Sequence, residues 1–127
     1  MSGPAYRNVL VIEDDDAFAR VIERNLTARG VSVRRAGTAA EACAAIAAER
    51  PDLLLLDINL PDRTGWDVLR DPVMGPARIP VIVLSATALR PERVAEFKPL
   101  ACLPKPFPLD ALLRIVIGTD SEEAAHV

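Results

Sequence analysis

Four short apolar runs in this chain each end on a polar side chain with a use in phosphoryl transfer. Val9–Ile12 runs into Glu13, Asp14 and Asp15, and Leu53–Leu56 runs into Asp57. Val81–Leu84 runs into Ser85, and Leu100–Leu103 leads through Pro104 to Lys105. A carboxylate can attack phosphorus as a nucleophile. Grouped acids can hold a hard divalent cation, and a hydroxyl and an ammonium can each meet a phosphoryl oxygen. Singly, each of these residues is commonplace. If the runs are parallel strands of one sheet, all of them meet at its carboxyl edge, where open α/β sheets place their ligand sites.

That arrangement demands strands alternating with helices, and the pattern supplies them. Residues 7–12 read as a strand. From Asp16 to Arg29, apolar Ala17, Phe18, Val21, Ile22 and Leu26 fall on one helical face, with Gly30 as the stop. Val31 to Arg35 alternates apolar and polar, as an edge strand does. Thr38 can cap a helix running through Ala48, with Glu41 completing a capping box. Leu53–Asp57 is apolar enough for a strand buried on both faces. A loop with Pro61 and Gly65 leads to a short helix over 66–70. Strands over 79–84 and 100–103 and helices over 91–98 and 109–117 follow. The order is that of an α/β, doubly wound, five-stranded parallel sheet in a three-layer αβα sandwich. One domain spans residues 1–117, and 118–127 read as an acidic, disordered tail.

Composition excludes several classes. At 127 residues the chain is near the commonest domain size. Half of it is hydrophobic, and the net charge is −3, so nothing draws the domain to nucleic acid or an anionic membrane. No apolar run is long enough for a signal-peptide core or a membrane span. Cys43 and Cys102 form no C-x-x-C pair, and both read as reduced thiols filling core space in a cytoplasmic protein. Of the 15 basic residues only Lys98 and Lys105 are lysines. A lysine at a pocket position therefore points to a need for a compact ammonium.

Glu13, Asp14 and Asp57 bring three like charges together, which is costly unless a cation joins them. An all-oxygen donor set suits Mg²⁺, with Mn²⁺ as an alternative. Asp15 and Asp16 read instead as caps of the following helix. Asp57 is the candidate nucleophile, Lys105 the ammonium that balances the transferring charge, and Ser85 a donor to a phosphoryl oxygen.

The segments Val11-Ile12-Glu13-Asp14-Asp15, Leu56-Asp57-Ile58-Asn59-Leu60-Pro61 with Gly65, Val83-Leu84-Ser85-Ala86 and Leu103-Pro104-Lys105-Pro106-Phe107 resemble the receiver domain of two-component response regulators. The likeness runs in order from about residue 7 to 117. It implies a flavodoxin-like (βα)₅ fold in which Asp57 accepts a phosphoryl group from a histidine kinase or a histidine phosphotransfer protein. It implies Mg²⁺ held by Asp14, Asp57 and the Asn59 backbone carbonyl, with Glu13 acting through water. Ser85 and Lys105 would sense the phosphoryl group, Asn59 and Thr87 would modulate its lifetime, and the Lys105–Pro106 bond would be cis. Output would pass through the face of the fourth helix, fifth strand and fifth helix, which could also serve a homodimer.

Two departures fall on that face. Cys102 stands where the family usually has an aromatic residue. The stretch from Ser85 to Lys105 is about two residues short, with Phe97-Lys98-Pro99-Leu100 in place of a Gly-Ala turn. The expectation is a stand-alone receiver that changes partner binding when phosphorylated, with the downstream partner unidentified. A receiver cut from a hybrid kinase or a transcription factor is the first alternative. A small aspartyl-phosphate phosphatase is the second, and Asn59 argues against it. Such enzymes carry a second acid two residues after the nucleophile for general acid–base work. The chain is therefore expected to catalyse no turnover beyond its own phosphorylation and dephosphorylation.

Overall fold

A computed structural model describes residues 3–118. Five strands, β1 (Asn8–Ile12), β2 (Ser32–Ala36), β3 (Leu53–Asp57), β4 (Val81–Ser85) and β5 (Ala101–Pro104), form one sheet in the order β2-β1-β3-β4-β5, every pair parallel. Five helices connect them: α1 (Asp16–Thr27), α2 (Ala39–Ala48), α3 (Gly65–Arg70), α4 (Pro91–Phe97) and α5 (Leu109–Ile117). A 3₁₀ turn over Pro72–Met74 follows α3. The expected doubly wound α/β fold is the observed one, and β2 is an edge strand as its alternation predicted. The expected tail lies outside the described residues from 119 onward.

Strand residues alternate between two cores. Leu10, Ile12, Leu54, Leu56 and Val83 face α2 and α3, while Val9, Val11, Leu53, Leu55 and Leu84 face α1 and α5. Because β3 and β4 are covered on both sides, every residue of each is buried, their polar last residues Asp57 and Ser85 included. Register finishes the placement: Ile12 pairs with Leu56, Asp57 with Leu84, and Ser85 with Pro104. The residues that follow these positions therefore leave the sheet side by side.

Helix starts are fixed locally. Asp15 caps α1 by accepting from the Phe18 N–H, and Thr38 caps α2 by accepting from the Glu41 N–H. Glu41 reaches back one residue further than a capping box requires, to the Gly37 N–H. Asp62, in the loop after β3, accepts from the Ala39 and Ala40 N–H groups and so caps α2 from a distance. Gly65 opens α3 against the end of β3. A Cβ there would lie 2.6 Å from the Asp57 carbonyl oxygen, so only glycine permits that approach.

Two expectations need correction. Ala17 and Val21 do not join the buried face of α1. Ala19, Ile22 and Leu26 are buried there and Val21 is 49% exposed, because the helix is rotated to turn its Ala19–Ile22–Leu26 stripe to the core. Cys102 is exposed rather than core, and Cys43 is half-buried against the α2–α3 side. The cause is α4, a seven-residue helix that buries none of its residues and leaves one face of β5 open. The large apolar residues most exposed among those described are Val21 and Leu100, each 49% exposed and neither on α5.

What holds α4 is its carboxyl end. Phe97 stacks on Trp66 of α3 at 5.4 Å between centroids, and the Arg70 guanidinium lies 5.1 Å from the Phe97 ring centre. Arg70 also pairs with Glu96 at 3.0 Å, and Arg78 donates to the Phe97 carbonyl. The helix then ends on Lys98 in the left-handed region, at φ 48°. A glycine would meet this conformation without the Cβ strain that a lysine carries.

Candidate functional site

The carboxyl edge of the sheet gathers the predicted acids and the predicted amine. Glu13 follows β1 and is buried, Asp14 beside it is exposed, and Asp57 ends β3 with 5% exposure. One carboxylate oxygen from each lies within 4.8 Å of the other two. Lys105, after β5, donates from Nζ to Glu13 Oε1 at 2.6 Å and to Asp57 Oδ2 at 3.3 Å. The second oxygens are held by backbone: Glu13 Oε2 accepts from the Asp15 N–H, and Asp57 Oδ1 from the Asn59 N–H. Every element of the site thus sits on a strand end, and the nucleophile candidate cannot rotate freely.

Electrostatics show the same strain that the sequence implied. Burial raises the Glu13 carboxyl to about 7, against the hydrogen bonds from Lys105 and the Asp15 N–H, and the Asp57 charge adds to the rise. Burial alone would lower Lys105. The hydrogen bond and charge of Glu13, joined by Asp57, outweigh it and raise the ammonium above its ordinary value. One ammonium, bonded to Glu13 and Asp57, stands against three carboxylates, so the cluster is short of positive charge. All its candidate ligand atoms are hard carboxylate oxygens, and a divalent cation fits such a set. Glu13, Asp14 and Asp57 are the residues that would hold it.

Ser85 is in place but turned. It is buried at 2% exposure, yet its hydroxyl donates to the Thr87 carbonyl at 2.7 Å and accepts from the Thr87 N–H. The Thr87 hydroxyl lies 3.3 Å away. The Ser85 carbonyl accepts from the Lys105 N–H at 2.7 Å, which couples the two loops through backbone. Asn59 and Thr87 are exposed at the rim. The Lys105–Pro106 bond is cis, as the resemblance implied. Asp15 is the α1 cap it was read as. Asp16 is not a cap but pairs with Arg20 and Arg35 on the surface.

Sequence reasoning missed two features. The Lys105 ammonium lies 4.7 Å from the centre of the Phe18 ring, and that ring meets Phe107 edge-on at 5.8 Å. Phe18 had been read only as a core residue, and nothing in its spacing marks it otherwise. A cavity of about 270 Å³ also opens beside Glu13 and Asp14, bounded by Asp16, Arg35 and Glu41.

A doubly wound sheet with acids and a lysine converging at its carboxyl edge defines a class, and the comparison with known families agrees. Residues 9–117 match the response regulator receiver domain, and the chain belongs to that family. Its relatives include response regulator MprA of Mycobacterium tuberculosis, 39% identical over 124 residues, covering 93% of this chain and 54% of that protein. MprA of Mycobacterium avium is 39% identical over 107 residues, covering 83% of this chain and 47% of that one. The chain therefore spans about half the length of these relatives. Among solved structures, a response regulator from Burkholderia pseudomallei superposes with TM-score 0.75 at 27% identity, covering 94% of this chain and 71% of that one. That structure holds a phosphorylated aspartic acid, a calcium ion and citrate. A CheY-like receiver from Methanospirillum hungatei gives TM-score 0.76 at 26% identity, covering 95% of each chain.

Proposed function

We propose that this chain is a phosphorylation-controlled switch that takes a phosphoryl group on Asp57, in a Mg²⁺-dependent way, from a histidine kinase or histidine phosphotransfer protein. The observation that carries the reading is Lys105, whose ammonium hydrogen-bonds both Glu13 and Asp57 beside a third carboxylate. Mg²⁺ would supply positive charge for the attacking carboxylate and the transferring oxygens, and it keeps waters that the adjoining cavity has room for. The Asn59 N–H fixes the plane of the Asp57 carboxylate. Lys105 meets the phosphoryl charge from the β5 side. Ser85 has to leave Thr87 before its hydroxyl can reach a phosphoryl oxygen, and that turn moves the loop toward α4. With Asn59 where a second acid would be needed, the chain acts on no outside ester.

The module is read as cytoplasmic, acting through a protein contact on the α4-β5-α5 face, which a homodimer could share. Among the described residues no helix is long and apolar enough to cross a membrane. A second reading, a receiver joined to an output domain, is favoured by relatives about twice as long as the matched segment. Intact-mass measurement with acetyl phosphate tests the shared claim. One phosphoryl group should add with Mg²⁺ and none after chelation or in Asp57→Asn. Labelling without metal, or of the variant, overturns it.

A further inference from the structure

The Lys105 ammonium has three donors. Two go to carboxylates, Glu13 at 2.6 Å and Asp57 at 3.3 Å, and the remaining side of the group faces the Phe18 ring at 4.7 Å from its centre. These partners differ in permanence. On the proposed reading, a metal competes for Glu13 and a phosphoryl group changes Asp57, so both carboxylate contacts alter during the reaction. The ring does not. Its backbone is held by the Asp15 cap, its edge-to-face partner is Phe107, and it packs on the core between α1 and the sheet.

We propose that Phe18 is a positioning residue for phosphorylation: an aromatic platform that keeps the Lys105 ammonium over the phosphoacceptor while its carboxylate partners change. Cations are attracted to the negative face of an aromatic ring, and more strongly where water is partly excluded. Lys105 is half-buried, on a flexible stem that would otherwise sample several rotamers. Leucine at position 18 would keep the apolar packing and lose the π face. Tyrosine would keep the face. The proposal rests on the reading of Asp57 as phosphoacceptor.

The test compares wild type, Phe18→Leu and Phe18→Tyr by two readouts. One is the rate of labelling by acetyl phosphate with saturating Mg²⁺. The other is the ε-methylene NMR resonance of Lys105 in the free protein, which has only Lys98 to be confused with. In Phe18→Leu, labelling should slow about three- to tenfold, the size expected of one partly desolvated cation–π contact. The Lys105 resonance should lose its ring-current shift while Lys98 stays fixed. Phe18→Tyr should restore both to within about twofold. Equal labelling in wild type and Phe18→Leu overturns the platform, and so does equal slowing in both variants, which would be a packing effect. Absence of labelling in wild type itself overturns the phosphoacceptor reading along with the role assigned to Phe18. The resonance then still reports whether the contact exists.

Discussion

The middle of the sheet and its β5 edge are built to different standards. Around β1 and β3 the acids sit on strands buried on both faces, and each carboxylate of Glu13 and Asp57 is tied at both oxygens. Around β5 the covering helix α4 buries nothing, Cys102 and Leu100 are exposed, and a stacked Trp66–Phe97 pair does the anchoring. On the proposed function the first region has to hold reacting groups to a fraction of an ångström, so close packing serves it. On the proposed function the second has to change when the first is modified, and segments with few buried apolar contacts are those that open at low cost. A receiver needs both, and here the centre of the sheet supplies the first and its β5 edge the second.

The contrast predicts unequal responses to deletion of side chains. Leu55→Ala, in the middle of β3, should lower stability by about 2–5 kcal/mol in urea denaturation. Cys102→Ala, on the open face of β5, should stay within about 0.5 kcal/mol. Comparable losses at the two positions would show that α4 covers β5 more firmly than described.

Gly65 sharpens the same point at the site itself. Gly65→Ala places a methyl 2.6 Å from the Asp57 carbonyl oxygen, and that neighbour is backbone that cannot turn away. A cost of about 1–3 kcal/mol is expected, with labelling of Asp57 reduced more than its stability loss alone explains. A variant that is both stable and fully labelled would mean the loop after β3 is slack.

A smaller effect is expected at Asp62, which joins that loop to α2. Hydrogen bonds from Ala39 and then Ala40 hold its carboxyl below the ordinary 3.8. A lowered folded value means that the carboxylate stabilises the fold fully above pH 3.8 and loses the contribution as pH falls through the lower value. Asp62→Ala should therefore be less stable than wild type at neutral pH, and the gap should close in acid. A gap that is independent of pH would remove the charge from the account.

Much of this was legible in the sequence because it is local. Apolar runs ending in Glu13, Asp57, Ser85 and Lys105 fix strands and strand ends together, and the alternation at 31–35 marks an edge. Strand and helix limits shifted by a residue or two, since fraying and caps decide them. What sequence could not show depends on how elements lie against one another. Cys102 is exposed because α4 is short and attaches to α3 rather than β5. Val21 is exposed because of the rotation of α1. Asp62 caps a helix 23 residues away, and Phe18 meets Lys105 across two elements. Ser85 was legible as a site residue, but its turn toward Thr87 was not.

The central claim is that a phosphoryl group at the rigid centre of the sheet is read out at its loosely held β5 edge, without a rotating ring at position 102. Backbone amide NMR with Mg²⁺, before and after adding beryllofluoride as a phosphoryl mimic, tests it most directly. The account predicts large shifts through residues 85–98 and over the surface of 99–117. It predicts small ones in the strands at 8–12 and 53–56, with the Cys102 side chain keeping its rotamer. Shifts confined to the loops around Asp14 and Asp57, or a reorientation centred on Cys102, would contradict it.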